Sequence, residues 1–422
     1  MQILKRNFIV NKSDREIIRD IAKQVAEVSG LPIQEERRRL WCKHNSLNLE
    51  RPLFLFFPEG SWRELLPEDT LQCEDQEARK VERLLKTRLY YHDHFNDDTP
   101  IEKEFVVSKI IHSTGWGIEP KRIPSSETLG AWHIDPVIFT PEDLKKIRHP
   151  KITYDKAETN KKFAFYHDLL GDILDVKLRG ITTIGYHLMN HYAQLRGLEE
   201  LMLDMYDQPQ MLHDAMAILE EGYHKELQQY IEQNLLSLNN YSAYHNSGGI
   251  SYNDTELPGP DFDPEHVRPC DMWASAESQE LAQVGPKQHA EFAIPYETRL
   301  LEPFGLTGYG CCEDLTNKLD DICQMPHMRR ISIAPWADVE KCTARLKGDY
   351  IFSWKPNPAM LVCCFDEDQI RSYIRQTLDY AQGNGCVLEI VLKDTHTCEN
   401  HPERFDIWAR IAREEIGVPE GS

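Results

Sequence analysis

Apolar residues recur at helical spacing from Lys12 to Ser29 (Ile17, Ile18, Ile21, Val25, Val28), behind Asn11 and Ser13 as caps, which predicts an amphipathic helix. The chain up to about residue 90 reads as helical and charged, interrupted by one apolar run, Leu53-Phe54-Leu55-Phe56-Phe57. That run stops at Pro58-Glu59-Gly60 and reads as a strand buried on both faces. Glu102 to His112 alternates enough for a strand or hairpin. From Leu178 onward the rhythm is regular. Strands are expected near Leu178–Ile184, Ser242–Ile250, Cys270–Ala274, Leu306–Cys311, Arg330–Ala334, Tyr350–Trp354 and Val387–Leu392. Helical stretches separate them, notably Gln208 to Leu236, opened by Asp207 and Pro209. Strand alternating with helix means a parallel sheet. With the strand at Leu53 the count fits an α/β fold, a (β/α)8 TIM barrel, with an open doubly wound sheet as the alternative. The barrel is expected over 51–422, with a helical N-terminal extension over 1–50 and a small β insertion near 100–135. Pro258 to Arg268 is a Pro/Asp-rich loop that could serve as a lid.

The bulk composition narrows the function classes. A chain of 422 residues with 41% apolar composition can bury a large core. Its net charge is -21, from 69 acidic and 48 basic residues, which argues against a nucleic-acid partner because phosphate binding needs clustered Lys and Arg. No apolar run is long enough to span a bilayer, and Met1 to Asp20 lacks the apolar core of a secretion signal. No membrane partner and a cytoplasmic location are therefore expected. The eleven cysteines are scattered from Cys42 to Cys398, which does not suggest a disulfide framework. There is no Gly-x-Gly-x-x-Gly after an early strand, no phosphate loop and no Gly-x-Ser-x-Gly elbow.

Candidate chemistry gathers where strands are expected to end, the catalytic face of such a barrel. The richest segment is Gly308-Tyr309-Gly310-Cys311-Cys312-Glu313-Asp314. The other strand ends are Asp271-Met272-Trp273-Ala274, Ala334-Pro335-Trp336-Ala337-Asp338, Trp354-Lys355-Pro356-Asn357-Pro358 and Lys393-Asp394-Thr395-His396-Thr397-Cys398. Zinc favours Cys, His and carboxylate ligands, and Cys311, Glu313, His396 and Cys398 could supply them from separate strands. Free cysteine is also often a small packed residue. On a strand, neighbouring cysteines point to opposite faces, so both thiols share one site only if the backbone turns there. Glu59 could take up a substrate proton or cap the helix after it. His187 could bind substrate or simply start a helix. Lys355 and Lys393 could hold a carboxylate or ring oxygen, although exposure is the common fate of lysine.

Taken together, Gly197-Leu198-Glu199-Glu200-Leu201 with Asp204 and Asp207-Gln208-Pro209, Gly285-Pro286-Lys287, Phe292, Pro295-Tyr296, Tyr309-Gly310-Cys311 and Lys355-Pro356-Asn357-Pro358 resemble the uroporphyrinogen decarboxylase superfamily. The resemblance runs from about Leu178 to the C-terminus. It implies a (β/α) barrel, and the superfamily includes cobalamin-dependent methyltransferases. The Arg- and Gly-rich N-terminal signature of the true decarboxylases is missing, and Pro58-Glu59-Gly60-Ser61-Trp62 follows the first strand instead. That departure argues against a polycarboxylate substrate, which needs cationic partners.

The methyltransferase branch holds zinc through His-x-Cys and a later cysteine. In this chain Cys311 takes the cysteine place, Tyr309 the histidine place, and Cys398 falls near the later cysteine. The resemblance thus implies a zinc site of Cys311, Cys398 and Glu313 or His396. It also implies a corrinoid carried by a separate partner protein and a small methyl donor or acceptor; aromatic methyl ethers would suit a pocket lined by Trp273, Trp336 and Trp354. His396, Lys393, Asp394 and Glu59 are the expected catalytic residues. Trp273, Tyr309, Trp336, Trp354, Lys355, Asn357 and His187 are expected to bind substrate. The alternatives are a metal-free decarboxylase and a non-catalytic partner of corrinoid proteins.

Overall fold

A computed structural model describes residues 10–123, 125, 133–245 and 247–418. Seven strands form one parallel sheet: β1 (Leu53–Phe56), β2 (Gly185–Tyr186), β3 (Trp273–Ala276), β4 (Leu306–Tyr309), β5 (Met328–Ile333), β6 (Ile351–Trp354) and β7 (Val387–Leu392). Their order is β1-β7-β6-β5-β4-β3-β2, so each strand from β2 to β7 lies beside its successor and β1 closes onto β7. This is an α/β fold with the strand succession of a barrel. Among the described residues, no ladder joins β1 to β2.

Side chains cover the free edge of β1. Phe54 N–H donates to Asp98 Oδ2 and Phe56 N–H to Asp97 Oδ2, both at 2.9 Å. Asp98 N–H donates to Phe54 O at 3.1 Å, and the Tyr91 hydroxyl to Phe56 O at 2.7 Å. Buried backbone groups must find partners, and here two carboxylates replace a neighbouring strand.

The pleat sorts residues between two faces. Phe54, Phe56, Ile331, Ile333, Phe352, Trp354, Leu388, Ile390 and Leu392 belong to the main apolar core with the surrounding helices, including Glu367–Gly383 and Glu403–Ile416. Each such side chain contributes roughly 1.5–3 kcal/mol by leaving water. The other face is polar at its centre. Arg330 and Glu389 are both 0% exposed and pair at 3.0 Å, and His44 Nε2 lies 3.2 Å from the same carboxylate. A carboxylate and guanidinium can stay charged there because each neutralises the other.

The N-terminal segment is built into the molecule. The helix Lys12–Ser29 begins as expected, with Asn11 Oδ1 accepting Asp14 N–H at 2.8 Å. It shares a second apolar core with the helices Gln76–Tyr90 and Lys156–Leu170 and the strands Glu104–Ser108 and Asp175–Arg179. The next helix, Pro32–Asn45, packs Leu40 and Trp41 against Leu53 and Leu55 of β1. Of the expected insertion near 100–135, residues 124 and 126–132 lie outside the described residues. The remainder holds Ile111–Ser113 paired with Ile152–Tyr154 and Lys121–Ile123 paired with His133–Asp135.

Three expectations change. The strand expected at Leu178–Ile184 is split. Asp175–Arg179 pairs with Glu104–Ser108 outside the main sheet, and β2 starts only at Gly185. The break falls at Gly180, where a Cβ would stand 1.8 Å from Leu235 O. Ser242–Ile250 forms no named strand but a turn closed by a Tyr244–Ile250 bridge, with Asn246 outside the described residues. The loop Pro258–Arg268 does not cover the strand ends that carry the cysteines. Leu257 beside it packs on Trp273 and Leu306, the first residues of β3 and β4, at the opposite end of the sheet.

Candidate functional site

The C-terminal ends of β4 and β7 bring two thiols and a lysine together. The chain leaves β4 through Gly310 at φ 90°, where a Cβ would lie 2.7 Å from Leu315 Cδ1. Only glycine adopts that turn freely. Beyond it Cys311 and Cys312 are no longer on a strand, and their Sγ atoms are 3.4 Å apart. Lys393, one residue past β7, places Nζ 3.5 Å from Cys311 Sγ and 3.7 Å from Cys312 Sγ. Asp394 Oδ2 lies 3.6 Å from Cys312 Sγ and 3.4 Å from Lys393 Nζ.

The electrostatics of the pair are asymmetric. A hydrogen bond from Cys312 lowers the Cys311 thiol below the ordinary thiol range, against burial and with help from the Lys393 charge. Cys312, hydrogen-bonded to Cys311 and half-buried, is pushed up. Burial opposes the charge on Lys393, but Tyr244, Cys311, Cys312 and Asp394 outweigh it and keep the ammonium protonated. The arrangement therefore favours loss of the Cys311 proton beside a retained Lys393 ammonium.

Other expected residues border this centre. Glu59, at the end of β1, has φ 46° and Asp394 has φ 60°, both left-handed without being glycine. Such backbone strain concentrates at functional sites. Burial, then Asp394, raises the Glu59 carboxyl. His396 is exposed, and its charge bears on Glu59. His187, preceding the helix Leu188–Arg196, has Nδ1 2.5 Å from Glu277 Oε1, and Cys311 lies within its field. Trp336 is exposed at the rim and donates Nε1–H to Cys312 O at 3.2 Å.

The expected zinc set is not assembled. Glu313 is buried, and its carboxylate accepts the N–H of Cys311 at 2.8 Å and of Ser278 at 3.3 Å, so it shapes the loop rather than facing the thiols. Cys398 Sγ donates to Glu64 Oε2 at 3.0 Å, and burial with that carboxylate raises its thiol to about 12. Among the described residues no group of three or more His, Cys, Asp or Glu is placed to hold a metal ion. Cys311, Glu313 and Cys398 as arranged do not fit zinc.

The aromatic residues expected to line a pocket are also redistributed. Trp354 is fully buried against Tyr373 on the helix side of the sheet, with ring centroids 4.9 Å apart. Trp273 is buried near the start of β3, its Nε1–H bonded to Ser251 O at 3.0 Å. Tyr309 faces the helices, where its hydroxyl lies 2.8 Å from both Glu297 and His289. Asn357 caps the turn Pro358–Leu361 by accepting Ala359 N–H at 3.0 Å. Lys355 is buried beneath the thiols. Its Nζ donates to Ser247 O and to Ser353, and burial lowers it to about 7.

Two residues of the mouth escaped the sequence reading. Glu277 directly follows β3, but that strand was expected to end at Ala274, two residues before its actual end at Ala276. Tyr244 packs on Phe57 with centroids 4.2 Å apart and rings tilted by 50°, and it feels Lys393, Cys311 and Glu59. It lies inside a segment expected as a strand.

No protein-family model matches the sequence, and no curated protein matches it. Among solved structures, a methyltransferase from Methanosarcina mazei is similar over 89% of this chain and 97% of that one, with 11% identity and a TM-score of 0.47. A likeness of that degree leaves the activity to be argued from the site.

Proposed function

We propose that this protein is a methyltransferase that moves a methyl group between a small methylated substrate, such as a methoxylated aromatic, and a corrinoid carried by a separate partner protein. The observation that carries the reading is the Cys311 thiol beside the Lys393 ammonium, hydrogen-bonded to Cys312 at the C-terminal ends of a parallel sheet. The methyl carbon in an in-line transfer gains positive charge, and an adjacent thiolate stabilises it where it develops. Lys393 holds the electron-rich heteroatom of the substrate, and the raised carboxyl of Glu59 lies across the mouth. The corrinoid supplies the methyl acceptor. No step is routed through zinc, because Glu313 and Cys398 are committed elsewhere.

A decarboxylase acting on a polycarboxylate fits less well. Lys393 shares the mouth with the carboxyl groups of Glu59, Glu277, Glu280 and Asp394, which would repel such a substrate.

The test is methyl transfer from a panel of aryl methyl ethers to a reduced corrinoid protein, followed by its absorbance, with elemental analysis of the same preparations. Wild type should transfer, and Cys311→Ala should lose on the order of 10²–10³-fold in rate, the scale for removing one group that stabilises transition-state charge. Full activity in Cys311→Ala would overturn the proposal. A stoichiometric metal lost in that variant would restore a zinc role with other ligands.

A further inference from the structure

The pair formed by Glu277 and His187 has the build of an acid–base device. The Glu277 carboxylate is buried, with Oε1 against His187 Nδ1 at 2.5 Å and Oε2 accepting Gln279 N–H at 2.9 Å. The His187 side chain is 41% exposed, so one edge of the ring is fixed and the other is open. Among the described residues, no hydrogen bond is made by its Nε2. The charged groups facing it are Glu277 from the end of β3, Cys311 from the end of β4, and Glu280. Glu280 is itself held by Asn190, which donates Nδ2–H to it at 2.6 Å. Burial works against a charged ring, but the hydrogen bond and charge of Glu277, then Cys311 and Glu280, outweigh it and raise His187 above the ordinary histidine range.

We propose that His187, oriented by Glu277, is the catalytic acid of this site and delivers its Nε2 proton to the heteroatom that loses the methyl group. This rests on the methyl-transfer reading above. The Nδ1–H stays with Glu277, which sets the ring plane and the proton's position, as an orienting carboxylate does for other catalytic histidines. A reduced corrinoid on the partner protein would supply the electron pair of the new bond to the methyl carbon and would take up the accompanying two-electron oxidation. The carbon–oxygen bond breaks, its pair stays on oxygen, and that oxygen takes the Nε2 proton. The alcohol or phenol leaves, and water reprotonates the imidazole. Glu277 acts through His187 and is a positioning residue. The substrate class is thereby narrowed to methyl ethers whose leaving oxygen needs a proton.

The experiment uses the full-length protein with His187→Gln and Glu277→Gln, a reduced corrinoid protein, and two aryl methyl ethers that differ in a ring nitro group. The nitro group makes the leaving phenol acidic enough to depart without a proton donor. His187→Gln should lower kcat for the unactivated ether about 10²-fold, the usual scale for losing a general acid, and for the nitro ether only a few-fold. In Glu277→Gln the limb on which kcat/KM falls with rising pH should move to lower pH. The His187 titration, followed by NMR of 13C-labelled histidine, should move the same way. Equal losses for the two ethers, or an unchanged profile and titration in Glu277→Gln, would overturn the assignment. Absence of transfer by wild type would sink the methyl-transfer reading and the acid role with it. In that case the NMR shift alone would decide whether the pair couples as described.

Discussion

A thiol that receives a hydrogen bond from its neighbour and faces an ammonium gives up its proton more easily than a thiol packed in a core. Iodoacetamide at pH 7 should therefore label Cys311 ahead of Cys42, Cys342 and Cys398, which burial holds near 12. Peptide mapping after brief labelling reads this directly, and preferential labelling of a buried thiol would contradict it. Lys393→Met should move the Cys311 labelling midpoint upward, because the Lys393 charge lowers that thiol. At this scale the sequence indicated which strand ends carry polar residues, but not which face each side chain takes: Trp354 ends its strand as expected and is buried on the helix side. Cys311, Lys393, Asp394, Glu59 and His187 all border the mouth. Glu277 was missed because β3 runs to Ala276. Residue type alone does not tell a carboxylate that accepts backbone N–H groups, or a thiol bonded to Glu64, from a metal ligand, and Glu313 and Cys398 are arranged in those first two ways.

At the scale of elements, the helix Lys12–Ser29 follows from periodicity, and the strands β1 and β4 to β7 from short apolar runs that are buried on both faces. The turn around Gly248 did not. Its apolar and polar residues mimic a strand, yet it is threaded against the polar face of the sheet. Gly248 has φ 132°, and a Cβ there would lie 1.8 Å from Ser353 Oγ and 2.6 Å from Lys355 Nζ. Gly248→Ala should destabilise the protein by on the order of 2–4 kcal/mol through combined backbone strain and overpacking. A denaturant midpoint equal to wild type would refute this. The same variant should disturb Lys355 and with it the floor beneath the thiols.

For the whole molecule, burial of ionisable groups makes stability depend on pH. Glu297 is buried between Ser278 and Tyr309, and burial raises it to about 7 from 4.5. The folded state then binds a proton more tightly than the unfolded one. The stabilisation is complete below pH 4.5 and fades as pH rises through 7. Its full extent is on the order of 3 kcal/mol. Glu297→Gln should flatten the fall in stability between those pH values, measured by denaturant titration, whereas an unchanged slope would mean that Glu297 is ionised throughout.

The carboxylates of Asp97 and Asp98 have a consequence at the same scale. They finish the edge of β1 with side chains, so the long excursion from residue 57 to 184 leaves and returns at an edge where, among the described residues, no ladder joins β1 to β2. Insertions in that detour that spare Glu59 and the segment covering β1 should change what stands around the rim while leaving the β4–β7 ladders paired, as amide hydrogen exchange would show. The seam is thus the place where this architecture can acquire new partners while the chemistry between Cys311 and Lys393 stays as it is.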